Sequence, residues 1–247
     1  MSDAVIVIPA RYEAQRFPGK ILASETGKPL IQHVHEAASR ARCADRIIVA
    51  TDDQRIADAV ATFGGEAVMT RADHPNGTSR IAEVAAALNT NIIVNVQGDE
   101  PELDPDSIDR AVDALRRHDD CVMATLAAPL HDEQDIANPN VVKVVMDQAG
   151  RALYFSRAPI PHVREKNEDS AATCKHVGLY VYRRPFLETY VNLAPTPLET
   201  AERLEQLRVL EHGYRIAVAE TDNNAPGIDT PEQYQAFVER FRAEHTG

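Results

Sequence analysis

The run Val5-Ile6-Val7-Ile8 is apolar and β-branched at every position, so a strand formed there has no polar face to turn to water. Such a strand must be covered on both sides, which places it in a parallel sheet between layers of helix. Ile47-Ile48-Val49-Ala50 and Ile92-Ile93-Val94 repeat the pattern, with helical periodicity between them. This alternation predicts an α/β fold with a doubly wound, mostly parallel sheet. Helices are expected from Leu30 toward Ala41, from a cap at Asp52 or Asp53 to Phe63, from Thr78 to Leu88, and from Asp104 to about His118. A short strand is expected at Glu66 to Met69 and another at Cys121 to Leu126. After that the alternation loosens into strands at Val141 to Met146, Ala152 to Phe155 and His176 to Tyr182. Helices at Arg184 to Asn192 and Pro197 to His212, a strand at Arg215 to Ala219 and a last helix to about Ala243 complete the chain. Thr230 is a good cap for that helix, with Pro231 at its first turn, and Asp229 is left over just outside the cap.

Polar residues gather where these strands end. Pro9 stops the first strand, and Arg11, Arg16 and Lys20 follow in one loop, at the sheet edge where open α/β folds bind ligands. The loop has neither G-x-G-x-x-G nor G-x-x-x-x-G-K-[ST], so side-chain cations must do what backbone amides do in those motifs. Guanidinium groups grip phosphate oxygens bidentately and a lysine ammonium acts as a mobile point charge, so the loop suits a polyanion. Missing glycines also argue against a dinucleotide-dependent dehydrogenase. Gln97-Gly98-Asp99-Glu100-Pro101 follows the fourth strand, and its carboxylates facing a basic loop suit a hard cation bridging phosphates. Taken alone, the turn Thr70 to Thr78 reads as an ordinary loop that caps the next helix.

A length of 247 residues with 44% hydrophobic and 26% charged content supports a packed core in one α/β domain or in a domain with a lobe, and the loosened alternation puts such a lobe at about 130–183. The formal charge of −12 argues against nucleic acid as a partner. Cys43, Cys121 and Cys174 are odd in number and widely spaced, as expected of reduced thiols in the cytoplasm, and no apolar run reaches membrane-spanning length. His33 and His35 read as packing or surface residues, the Tyr154-Phe155 pair as core, and residues 158–173, with two prolines and a charged run, as an excursion able to act as a lid.

Taken together the blocks are recognisable. Pro9-Ala10-Arg11-Tyr12 with Arg16 and Pro18-Gly19-Lys20, Met69 to His74, Asn95 to Pro101, Asn138-Pro139-Asn140 with Lys143, Ala152 to Ala158, His176 to Tyr180, Leu198-Glu199, Glu205 to Arg208 and Asp229 to Glu232 run in one order. In that order they resemble the 3-deoxy-manno-octulosonate cytidylyltransferase (CMP-Kdo synthetase) family almost end to end. The resemblance implies a nucleotidyltransferase, Rossmann-like fold with a smaller β-containing dimerisation lobe, a homodimer, and transfer of CMP from CTP to the 2-keto sugar acid Kdo for lipopolysaccharide biosynthesis. It implies Mg2+ as cofactor on Asp99 and Asp229, with Arg11, Arg16 and Lys20 on the triphosphate. Arg71, Asp73, Gly77 and Arg80 would lie near the nucleoside, and Gln97, Arg157, His176, Tyr180, Glu205 and Gln206 would line the sugar-acid side. Departures from the family pattern are Ala14, Phe17 and Ile21 in the first loop and Asn76 and Ser79 in the second. They leave open a related acid such as 8-amino-Kdo or a sialic-like acid, or a silent nucleotide-binding subunit.

Overall fold

In the computed structural model, which describes residues 3–13, 16–164, 172–222 and 227–245, the first apolar run is strand β1 (Ala4–Ala10). A 3-10 turn (Lys20–Leu22), helix α1 (Leu30–Ala38), β2 (Ala44–Thr51), α2 (Gln54–Thr62), β3 (Glu66–Met69), α3 (Gly77–Ala86) and β4 (Ile92–Asn95) follow. Next come α4 (Pro105–Arg117), β5 (Met123–Pro129), α5 (Glu133–Ala137), β6 (Lys143–Met146), β7 (Ala152–Ser156) and β8 (Cys174–Arg183). The chain continues through α6 (Arg184–Tyr190), α7 (Pro197–Glu202), α8 (Gln206–Glu211), β9 (Ile216–Glu220) and α9 (Pro231–His245). Ala14 and residues 165–171 of the expected excursion lie outside the described residues.

Two units divide the chain, one comprising Met1–Ile108 with Ala225–Gly247 and the other Asp109–Asn224. In the first, strands lie in the order β3-β2-β1-β4 and every pairing is parallel, with Ile8 beside Val49 of β2 and Ile6 beside Val94 of β4. From β1 the chain steps outward to β2 and β3, then returns to the far side of β1 as β4. The ends of β1 and β4 therefore flank a topological switch point, where a crevice opens between loops that diverge. Ile6, Val7, Ile8, Ile48, Val49, Ile93 and Val94 are all buried, as their uniformly apolar sequence requires.

Helix α9 closes this unit through Tyr234, Phe237 and Val238, which pack with Leu30 and Ile228 and against Phe17 and Phe241. His33 meets Phe237 and Phe241 edge-on, so it is a packing residue as expected. The start of α9 is capped reciprocally. Thr230 Oγ1 accepts from the Gln233 N–H at 3.3 Å, and Gln233 Oε1 accepts from the N–H groups of Asp229 and Thr230 at 2.7 and 3.0 Å. The alternative caps for α2 resolve in favour of Asp53, which accepts from Arg55 N–H at 2.9 Å.

The second unit mixes directions: β5 is parallel to β9 but antiparallel to β8, and β6 is antiparallel to both β7 and β8. Phe155 is buried, as expected of a core residue, whereas Leu153 on the same strand is 61% exposed. Two elements differ from expectation: α5 forms where no helix is expected, capped by Asp132, which accepts from Gln134 N–H at 2.8 Å, and a later long helix is divided. The helix expected from Pro197 to His212 is two short helices, α7 and α8, because Arg203 takes a left-handed conformation (φ 53°, ψ 52°) that ends α7. An L-residue there carries a steric cost from its Cβ that glycine avoids. Arg203→Gly should therefore stabilise the protein by about 0.5–1 kcal/mol after the extra unfolded-state entropy of glycine is counted, measured as a raised urea midpoint at unchanged m-value.

Candidate functional site

At the switch point a cleft of about 270 Å3 is lined by Pro9, Arg11, Glu13, Lys20, Ile21, Asn76, Gly77, Gln97, Gly98 and Asp99. Two glycines shape it. Gly19 has φ 75°, which lets the loop fold back so that its N–H donates to Tyr12 O at 2.9 Å. A Cβ on Gly98 would stand 3.0 Å from Pro9 O and 3.2 Å from Ile21 Cδ1, so only glycine lets the loop after β4 pass this close to the end of β1.

Lys20 reaches across the cleft floor. Its Nζ donates to Asp99 Oδ2 at 2.6 Å, to Ile228 O at 2.7 Å and to Asp229 Oδ1 at 3.2 Å. Arg16 Nη2 holds the other oxygen of Asp229 at 2.8 Å. Asp99 and Asp229, 130 residues apart in sequence, thus share one ammonium, and the Thr230 and Gln233 cap leaves the Asp229 carboxylate free of helix duty. Ile228 O is a member of this group that residue-type reasoning missed, since a backbone carbonyl leaves no mark in sequence.

Arg11 Nη2 donates to His74 O at 2.6 Å, which ties the basic loop to the turn before α3. Inside that turn His74 Nε2 pairs with Glu83, whose carboxylate also accepts from Arg71 N–H at 3.3 Å. Through that bond Glu83 is held below its usual carboxylate range, first by the His74 hydrogen bond. The side chains of Arg71 and Asp73 are both exposed, 3.5 Å apart. Asn76 caps α3 by accepting from Ser79 N–H at 2.9 Å, so the departures at 76 and 79 form a working cap beside Gly77. Arg80 is placed differently from a ligand contact. It is 0% exposed and does not line the cleft; Nη1 donates to Thr70 Oγ1 at 2.5 Å and Nη2 lies 2.9 Å from Asp52 Oδ2. Its charge steadies the turn from behind.

Gln97, which lines the cleft, donates from Nε2 to Asn95 Oδ1 at 3.1 Å. The other residues expected on a sugar-acid side belong to the second unit. There Tyr180 Oη donates to Gln206 Oε1 at 3.2 Å, and Gln206 Nε2 is buried with no hydrogen-bond partner among the described residues. A buried donor left unpaired is costly, and a polar substrate group would relieve it. Glu205 precedes α8, with Tyr190 Oη 3.4 Å from its carbonyl. Arg157 is held by backbone: Nε donates to Glu202 O at 2.7 Å and Nη1 to Pro139 O at 2.9 Å. Behind it Lys143, 0% exposed, donates to the carbonyls of Asn138, Val141 and Arg157 at 3.0, 2.6 and 2.7 Å. Burial pushes this ammonium below its ordinary pKa.

His176 is a core residue of this unit, packed edge-on against Phe155 with ring centroids 5.0 Å apart. Thr125 Oγ1 donates to Leu179 O at 2.8 Å, so it accepts from His176 Nε2–H at 2.9 Å and fixes that neutral tautomer. Desolvation, helped by Lys175, pushes His176 down to about 3.

The family model described as "Cytidylyltransferase" matches residues 5–216. The 3-deoxy-manno-octulosonate cytidylyltransferase of Syntrophobacter fumaroxidans is 55% identical over 235 residues, covering 94% of each chain. The chain belongs to this cytidylyltransferase family. The family member from Syntrophotalea carbinolica is 56% identical, with 92% of this chain and 93% of that one covered. A solved CMP:2-keto-3-deoxy-manno-octonic acid synthetase complexed with CTP superposes with a TM-score of 0.93 at 43% identity, over 98% of this chain and all (100%) of that one. These matches bear out the expected nucleotidyltransferase fold and cytidylyltransferase family.

The buried His176 makes a pH test. Its folded pKa lies below the unfolded value of 6.5, so the unfolded chain takes up the proton first and the stability held above pH 6.5 is lost as pH falls toward 3. Lowering the pH from 6.5 to about 5 should cost about 2 kcal/mol through this residue. His176→Gln should flatten part of that slope in urea titrations, the rest coming from His33 and His35, which burial shifts in the same direction.

Proposed function

We propose that the chain transfers CMP from CTP to 3-deoxy-manno-octulosonate, or Kdo, releasing pyrophosphate and giving CMP-Kdo for lipopolysaccharide biosynthesis. The observation that carries this reading is the convergence of Lys20, Arg16, Asp99 and Asp229 at the end of β1 in a chain of this family. A hydroxyl oxygen of the sugar acid attacks the α-phosphorus and gives up its proton to solvent, the bond to the bridging oxygen breaks, and pyrophosphate leaves with its electron pair. Nothing covalent is asked of the protein, so positioning and charge neutralisation supply the rate.

Asp99 Oδ2, Asp229 Oδ1 and Ile228 O already surround a cation within 3.2 Å, a hard-oxygen donor set that fits Mg2+. Asp99 and Asp229 would hold that ion. An ion held there would supply Lewis acidity toward the α-phosphate and the attacking hydroxyl. Arg11, Arg16 and Lys20 stabilise charge that builds on the leaving pyrophosphate. Arg71, Asp73 and Gly77 serve the nucleoside, with Arg80 buttressing their turn, and Gln97, Arg157, Tyr180, Glu205 and Gln206 serve the sugar acid. His176 supports that side from the core through Tyr180, whose ring lies 5.5 Å from its own.

Pyrophosphate release with four nucleoside triphosphates and a panel of 2-keto sugar acids tests the proposal. CTP with Kdo should be preferred, and equal turnover with UTP or indifference to the acid would overturn it. Asp99→Asn and Asp229→Asn should each lower kcat by about a hundredfold or more while circular dichroism stays unchanged.

We further propose that the protein acts in the cytoplasm as a homodimer. The three cysteines are free and buried, and no helix among the described residues is long and apolar enough to cross a membrane. Strand β7 pairs with β6 on one side and displays Leu153 outward, a surface that two-fold pairing of the 130–183 segment would shelter. Light scattering should give twice 27.2 kDa, and Leu153→Glu should shift it toward the monomer.

A further inference from the structure

Three oxygens from two distant segments converge on Lys20 Nζ, and they are the oxygens a divalent cation would take. Lys20 is 8% exposed, whereas the side chain of Arg16, which touches Asp229 from outside, is 67% exposed. The ammonium therefore holds the inner position between the two carboxylates, and Arg16 flanks it. One point between two carboxylates cannot hold an ammonium and a divalent ion together, because at contact distance their repulsion cancels the whole attraction that the ammonium feels for both carboxylates.

We propose that Lys20 is an internal competitor for the metal: the ion enters between Asp99 and Asp229 only when a triphosphate draws the ammonium away from them. The inference rests on the reading of those carboxylates as the Mg2+ holders. Lysine suits the part because its charge is compact and rides on four rotatable methylenes, so it can exchange carboxylate oxygens for phosphate oxygens without moving the backbone. Asp99 and Lys20 both line the cleft, so the new partner has direct access to the ammonium. Nucleotide and metal then bind with positive coupling, and by linkage each raises the affinity for the other by the same factor. Together with Arg16, the ammonium also keeps the two facing carboxylates neutralised before the nucleotide arrives.

The test is Mn2+ binding to the full chain, followed by electron paramagnetic resonance without nucleotide, in wild type, Lys20→Gln and Lys20→Met. Both variants should bind Mn2+ at least about tenfold more tightly than wild type, with loss of that binding on adding Asp99→Asn. Arg16→Gln removes a charge beside the same carboxylate without opening the shared position, so it should change the affinity by less than about threefold. Equal Mn2+ affinity in wild type and both Lys20 variants would overturn the competition, and so would an equal gain in Arg16→Gln. Failure of all forms to take up Mn2+, with or without CTP, would instead overturn the metal reading of Asp99 and Asp229 and the competition with it. Two Lys20 variants of different polarity guard against misfolding, which circular dichroism checks in each.

Discussion

The first unit is organised around one ammonium. Lys20 joins the loop after β1, the loop after β4 and the turn before α9, three segments that share no regular secondary structure with one another. A charge so nearly removed from water is tolerable only because its donors are matched by oxygens, two of them anionic. Everything near it serves that geometry. Gly19 turns the loop, Gly98 allows the close pass, and Phe17 packs on Tyr234 with ring centroids 5.7 Å apart, bringing the basic loop against the helix that follows Asp229. The phenylalanine that departs from the family pattern is thus a packing element.

Much of this was legible because strand burial and helix capping are local. The uniformly apolar runs of β1, β2 and β4 demanded a parallel, doubly covered sheet, and Thr230-Pro231 announced α9. Local reasoning also left Asp229 unexplained, and the structure gives the reason: Gln233 and Thr230 complete the cap without it. What stayed hidden was set by partners far away in sequence. Arg80 looks like any polar residue of an early helical turn, and nothing nearby says that Asp52 and Thr70 will bury it. The break between α7 and α8 rests on a left-handed arginine, a conformation that residue type disfavours, and the pairing of Arg208 with Glu199 at 2.5 Å spans the break.

Buried polarity in the second unit follows the same rule in a different form. Ser156 Oγ and Arg157 N–H hold the two oxygens of Glu202, Thr125 satisfies His176, and Lys143 is enclosed by three carbonyls. Such groups define a single arrangement because each loses water and must find its partner in one place. Among the described residues Lys143 has no counter-ion in direct contact, and its donors are matched to backbone carbonyl dipoles. An amine held in that way has no lone pair to offer and no path to solvent. Acylating reagents that mark lysines on the folded protein will therefore pass over Lys143, and its modification becomes a chemical record that the carbonyl cage has opened.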